Sequence, residues 1–366
     1  MLVYSVETEN FRLLTPQRVE FAPGVNVITG ENAQGKTTLL EAVYLLTGVK
    51  SFRTRFDKEL IAFDKDFARI VGDVHAAGRD QKTELLFTAG KSRSMKQNGV
   101  KCSSSQLRDC LKAVLFSPDD LSLVRGSASG RRKLMDTAIS QLRPGYASLL
   151  SDYTKLFDNK TRILRDWHEK PSLLDTLDDF SESMARCSAR LIRYRYSFSL
   201  RLAEAAAPIH RDFSGEREEL GIGYTTVSTV DDPGASEQEI FEKIMQRQEE
   251  LRRAEIDAGL CLVGAHKDDL TVTVNGTDAR SFASQGQTRT AALSLKLAER
   301  EIFLAETGET PVLLLDDVLS ELDAARQEFV LNRIGEGQTL ISCCEAEAVQ
   351  RLTGGAVLRM EKGRVL

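Results

Sequence analysis

The run Gly30-Glu31-Asn32-Ala33-Gln34-Gly35-Lys36-Thr37 fits the pattern G-x-x-x-x-G-K-[ST], with Thr38 directly behind it. Its glycines allow a tight loop whose backbone N–H groups can face phosphate oxygens. Lys36 can reach the β- and γ-phosphates, and the Thr37 hydroxyl can coordinate Mg²⁺. The loop follows the β-branched stretch Val25 to Thr29 and opens a helical pattern carrying Leu39, Leu40, Val43 and Leu46. A strand before and a helix after place the positive end of the helix dipole at the same anion. Nucleotide binding is the chemistry these residues imply.

A second acidic element lies far downstream. Pro311 to Leu315 reads as a buried strand that delivers Asp316 and Asp317 to its end. Beside a phosphate loop, Asp316 would hold Mg²⁺ directly or through water, and Asp317 would polarise an attacking water. Asp316 stands 280 residues after Lys36, so most of the chain is inserted between two halves of one site. Ser284-Gln285-Gly286-Gln287 opens a helical pattern just upstream of that strand. The Ser284 hydroxyl and the Gly286 backbone there make an anion-binding helix start. The same residues also read as an ordinary N-capped loop. Ser320 to Asp323 follows the strand as a capping motif for the next helix.

The elements that must position these residues have two textures. Strand-like alternation occupies the first 30 residues, Ala68 to Ala76 and Lys82 to Thr88, with a hairpin turn expected at Asn98-Gly99. From about Pro118 to Ala206 the chain is Leu/Arg-rich with few turn signals, which predicts helices. Gly221 to Pro233 reads as a strand flanked by loop, and strand patterning returns at Leu270 to Val274, before the turn Asn275-Gly276. A helix is expected from about Gln287 to Ala305. The fold class is α/β, a P-loop NTPase core split by a mostly helical insertion. Residues 1–117 and 300–366 form the expected nucleotide-binding lobe, and residues 118–299 the helical lobe.

The long gap between the two motifs resembles the ATP-binding-cassette (ABC-type) ATPase head. There, Ser284, Gly286 and Gln287 match the signature that binds the γ-phosphate held by the other subunit, and Ser320 to Asp323 matches the loop that crosses the dimer interface. Within that class the chain is similar to the RecF family of bacterial recombination-repair ATPases. The matching pieces are Asn10-Phe11-Arg12, Gly30 to Thr38, Ser51 to Thr54 and Phe116 to Leu121. Gly264 to Leu270, Ala283 to Arg289 and Leu314 to Asp323 complete them, all in family order. The tandem Asp316-Asp317 stands where transporter cassettes carry Asp-Glu. The strand Thr339 to Cys344 lacks their switch histidine, and the chain leaves no room for the coiled-coil arms of larger relatives.

The resemblance implies ATP and Mg²⁺ as cofactors and an ATP-dependent homodimer on double-stranded or gapped DNA. It implies slow hydrolysis for release, RecR and through it RecO as partners, and loading of RecA. It also implies that Arg12 helps position the phosphates. Two other readings use the same residues: a nucleotide-gated clamp whose hydrolysis is incidental, and a transporter ATPase subunit.

Charge is unevenly spread. The whole chain carries 49 Lys+Arg against 54 Asp+Glu, a net of −5, which by itself argues against a nucleic-acid partner. Lys91 to Arg201, however, holds 21 basic and 12 acidic residues, leaving −14 on the remainder. Lys91, Arg93, Lys96, Lys101, Arg131, Arg132 and Lys133 are the candidate DNA contacts in that stretch. Aromatics do not interleave with them, so duplex-backbone contact is expected over base stacking. No apolar run reaches the roughly 18 residues of a membrane span. Met1 to Asn10 lacks signal-peptide character, so a cytoplasmic protein with no membrane partner is expected. The six cysteines, without C-x-x-C spacing, read as reduced thiols mostly in the core.

Overall fold

The computed structural model describes residues 1–226, 230–344, 349–350 and 353–366. The chain forms two compact units, Met1–Ser122 with Ala292–Leu366, and Leu123–Ala291.

The first unit carries two six-stranded sheets. One runs in the order Arg364–Val365, Ala356–Glu361, Val25–Thr29, Thr339–Cys343, Val312–Asp316, Ala113–Phe116. All its neighbours pair in parallel except the terminal hairpin. The strands Thr339–Cys343, Val312–Asp316 and Ala113–Phe116 are buried at every residue. Continuous burial explains their unbroken apolar character, because a parallel sheet is covered on both faces. The other sheet is antiparallel and alternates buried with open positions, as one-sided strands do. Its members are Gln17–Glu20, Leu2–Glu9, Phe67–Ala76, Arg79–Thr88, Ser94–Gln97 and Val100–Lys101. The helix Lys36–Leu45 joins them, since Leu39, Leu40 and Val43 share one core with Val3, Val74, Leu85, Leu314 and Leu340.

The second unit is mainly helical: Ala128–Leu142, Pro144–Asp166, Leu177–Phe213 and Glu237–Ala258. A three-stranded antiparallel sheet, Thr277–Asp278, Asp269–Val274 and Leu220–Thr225, completes it. Sequence reasoning passed over Glu237–Ala258. That helix buries only Ile240, Ile244, Gln248 and Glu255, so it shows almost no apolar stripe. Its ends are nonetheless well specified. Ser236 and Glu239 form a capping box, and Gly259 closes it in the left-handed region. The fully buried Lys160–Glu255 pair, 2.7 Å apart, ties it to its neighbour.

Both Asn-Gly turns form with φ positive at each residue, as a tight hairpin requires. The six cysteines are free, but only Cys110, Cys261 and Cys343 are buried, and Cys344 is exposed. Among the described residues, no helix is long and apolar enough to cross a membrane.

Candidate functional site

The parallel sheet brings one end of several strands to a single edge. Its registers set Cys343 beside Thr29, Ser342 beside Asp316 and Phe116 beside Leu315. The phosphate loop leaves that edge after Thr29. Gly35 caps the following helix with φ +106, and Ala33 also takes a left-handed conformation at φ +64. Gly30 passes so close to the C-terminal hairpin that a Cβ there would stand 2.3 Å from the Met360 carbonyl oxygen. Gln34 is braced by that hairpin: its carbonyl accepts Gly363 N–H at 3.0 Å, and its side chain accepts Lys362 N–H at 2.5 Å. The hairpin was not anticipated from sequence, because its role lies in backbone contacts that carry no residue signature.

The Lys36 ammonium is held inside the loop by the carbonyls of Gly30 at 2.8 Å and Glu31 at 3.1 Å. Cys344 Sγ lies 3.6 Å from the same ammonium and donates to Asn32 Oδ1 at 3.2 Å. Thr37 and Asp316, 279 residues apart, meet directly, the hydroxyl donating to Asp316 Oδ1 at 2.8 Å. Ser342 donates to the same oxygen at 2.9 Å and accepts the Asp317 N–H at 2.9 Å. Ser342 therefore serves both carboxylate residues. Burial pushes the Asp316 carboxyl above its ordinary range, against the pull of the two hydroxyls. Asp317 turns into the left-handed region at φ +50, which swings it off the strand line.

Arg12 lies behind this edge. Its guanidinium pairs with the buried Glu41 at 2.6 Å, and Arg53 reaches the same carboxylate at 3.5 Å and the Thr38 hydroxyl at 3.2 Å. Ser51 also donates to Glu41. Arg53 and Glu41 were missed as site residues, although Arg53 sits in the Ser51 to Thr54 motif. In the loop after Phe116, Asp120 accepts the Ser117 N–H at 2.7 Å and hydroxyl at 3.0 Å, which closes a tight turn.

In the second unit, Ser284 and Gln287 form a reciprocal cap. Gln287 N–H donates to Ser284 Oγ at 3.2 Å, and Ser284 N–H donates to Gln287 Oε1 at 2.8 Å. Gly286 follows within the first turn of the helix Gln285–Thr307. The capped-loop reading and an anion-binding helix start are thus compatible.

The basic stretch is divided between the two units, and its residues differ in burial and pairing. Arg131 is buried, with bidentate 2.8 Å bonds to Asp269 and further bonds to the carbonyls of Leu123, Val124 and Gly126. It is consumed by structure and corrected from the DNA-contact set. Arg132 donates to the Asp268 carbonyl at 2.6 Å. Arg93 is clasped by Asp57 at 2.9 Å and the Val49 carbonyl at 2.8 Å, and Lys96 lies 3.8 Å from Glu84. Lys91, Lys101 and Lys133 are exposed. One-dimensional charge counting cannot separate these cases, because pairing and burial are set by distant residues.

The motif Gly264 to Leu270 builds a buried network. Arg195 holds Asp136 through bonds of 2.8 and 2.9 Å, Asp268 at 3.2 Å and the Ala265 carbonyl at 2.6 Å. Tyr224 donates to Asp268 at 2.5 Å. Desolvation lowers His266 to about 4, and its Nδ1 lies 2.7 Å from the Tyr153 hydroxyl. This constellation is a structural hub.

Comparison with known proteins places this geometry. Residues 2–364 match the family model for the RecF/RecN/SMC N terminal domain. The chain is 38% identical to the DNA replication and repair protein RecF of Bacillus subtilis (strain 168), covering 100% of both chains. It is 39% identical to that of Lysinibacillus sphaericus (strain C3-41), covering 96% of this chain and 95% of the relative. A solved structure of the recombination mediator protein RecF-ATP in the RecFOR pathway superposes with TM-score 0.89. It is 35% identical and covers 100% of this chain and 96% of that one. An Smc head domain from Pyrococcus furiosus, 15% identical at TM-score 0.54 over 100% of this chain and 95% of that one, shares the fold alone. The meeting of Thr37 with Asp316 therefore occurs in an ABC-type ATPase head, and this ATP-binding chain belongs to the RecF family of DNA replication and repair proteins.

Proposed function

We propose that the chain is an ATP-switched DNA-binding protein of recombinational repair. ATP joins two copies on duplex DNA at gaps or stalled forks, and slow hydrolysis releases them. The observation that carries this reading is the 2.8 Å bond between Thr37 and Asp316 beside the phosphate loop. Thr37 and Asp316 would hold Mg²⁺. A carboxylate raised by burial, bonded directly only to two hydroxyls and without an ion-pair partner among the described residues, is the type of donor a hard cation relieves. Held there, the cation would supply positive charge to offset that of the β- and γ-phosphates.

Lys36, released from its loop carbonyls, takes the β- and γ-phosphates. The loop N–H groups of residues 31–38, Asn32, Ala33 and Gln34 among them, cradle the remaining oxygens. Arg12 and Arg53, gathered on Glu41, set the positive rim beside Thr38. Asp317 accepts the proton of the attacking water. Ser284 and Gly286 of one copy bind the γ-phosphate held by Lys36 of the other, so nucleotide state sets the lifetime of the pair. Lys91, Lys101 and Lys133, with Arg93, Lys96 and Arg132 in support, supply phosphate contacts to DNA. The family kinship supports RecR as a partner, RecO through it, RecA loading as the outcome and a cytoplasmic location.

Lys36→Ala tests the reading. The variant should lose ATP-dependent association in sedimentation and ATP-dependent binding to gapped duplex. Unchanged association with ATP would overturn the phosphate-loop assignment.

A further inference from the structure

The cap at Ser284 has a consequence for its hydroxyl. Accepting the Gln287 N–H uses an oxygen lone pair, so the O–H proton is directed away from the helix. The turn is held from the other side by the Gln287 amide, which presents its oxygen to the Ser284 N–H. The flipped amide would set an NH₂ group against that N–H, two donors face to face. Which way a side-chain amide lies is settled by the donors and acceptors around it.

Glu218 makes that selection. Its carboxylate only accepts, and its Oε1 receives Gln287 Nε2 at 2.9 Å across 69 residues of chain. Glu218 is itself anchored at the end of the long helix Leu177–Phe213. Its N–H donates to Ser214 Oγ at 3.2 Å, and its Oε2 lies 3.3 Å from Nε2 of the buried His210. A path of polar contacts therefore runs from His210 through Glu218 and Gln287 to Ser284, all within the second unit.

We propose that Glu218 is a positioning residue for the signature turn, fixing the Gln287 amide so that the Ser284 hydroxyl proton points at a phosphate oxygen. This rests on the reading of Ser284 to Gln287 as the element that meets the γ-phosphate of a second copy. Glu218 touches no nucleotide and acts through Gln287. Its removal changes association without changing the affinity of a single chain for ATP.

The test compares Glu218→Ala and Glu218→Gln with the wild type and with Ser284→Arg. Sedimentation with ATP reads association, and titration with a fluorescent ATP analogue reads nucleotide affinity. Glu218→Ala should keep its nucleotide affinity while the dissociation constant of the ATP-driven pair rises about tenfold, the loss expected for a bond to a charged group. Glu218→Gln keeps an oxygen for Gln287 and should restore association. If Glu218→Ala does not fold, Glu218→Asp, one methylene shorter, should show the same split. Equal association of wild type and Glu218→Ala, or a Glu218→Gln as weak as the alanine variant, overturns the role of Glu218. Failure of the wild type to associate with ATP, or normal association of Ser284→Arg, overturns the signature reading and this inference with it.

Discussion

Asp316-Asp317 closes a parallel strand in one unit, and Asp268-Asp269 opens an antiparallel strand in the other. In both pairs the first carboxyl is raised by burial. Their partners differ. Asp268 faces the Arg195 guanidinium and the Tyr224 hydroxyl, and Asp269 faces Arg131 in a bidentate pair. Asp316 receives only two neutral hydroxyls, and among the described residues no Lys or Arg forms an ion pair with it. A carboxylate already balanced by a fixed arginine is spent on structure. One bonded directly only to hydroxyls, with no arginine in contact, is suited to recruit a cation from solution. The same dipeptide thus serves architecture in one unit and, on the proposed reading, nucleotide chemistry in the other.

Three substitutions break or sharpen that contrast. Arg195→Ala should have the largest effect. It leaves Asp136 and Asp268 without their shared guanidinium, and breaking a buried pair costs roughly 3–5 kcal/mol. Urea unfolding should show the loss, while folded protein retains its ATP affinity. An unchanged unfolding midpoint would remove Arg195 from the structural core.

Asp268→Asn should alter the pH dependence of stability. Burial raises the Asp268 carboxyl from 3.8 to about 7, so between those values the folded state binds more protons than the unfolded one. Its contribution is full below about pH 4 and fades as pH rises through about 7. Wild type should therefore lose stability relative to the asparagine variant across that window, by at most about 1.4 kcal/mol per pH unit. Parallel pH profiles would show that Arg195 and Tyr224 keep the carboxylate ionised throughout.

Asp316→Asn should have the smallest effect on the fold and a selective effect on ligand. The melting temperature should stay within a few degrees of wild type. The gain in ATP affinity on adding Mg²⁺ should shrink about tenfold, in line with the cost of disturbing a metal's ligand set. A Mg²⁺ response equal to wild type would take Asp316 out of the metal site.

Legibility in the sequence followed distance along the chain. The phosphate loop was readable because its chemistry is packed into eight consecutive residues, Gly30 to Thr37, between a strand and a helix. The helices of the second unit were readable where an apolar stripe exists, as in Leu177–Phe213, and missed in Glu237–Ala258, where it hardly does. Asp316 could be paired with the loop from motif order. The sharing of Ser342 between Asp316 and Asp317, and of Glu41 between Arg12 and Arg53, could not. The basic stretch shows the limit most clearly. Arg131 and Lys133 are two residues apart with equal charge, yet one is buried in a bidentate pair and the other is exposed.

The primary structure alone determined the nucleotide chemistry, the strand–loop–helix that frames it and the family order of its motifs. These are properties of residues near one another in the chain, where backbone preference and side-chain type act directly. The tertiary structure decided which arginines are buried in pairs, which Asp-Asp pair lacks an arginine partner and which carboxylate meets the Gln287 amide. Each of these depends on burial and on partners tens to hundreds of residues away. Desolvation and pairing energies exist only after the chain has folded around them.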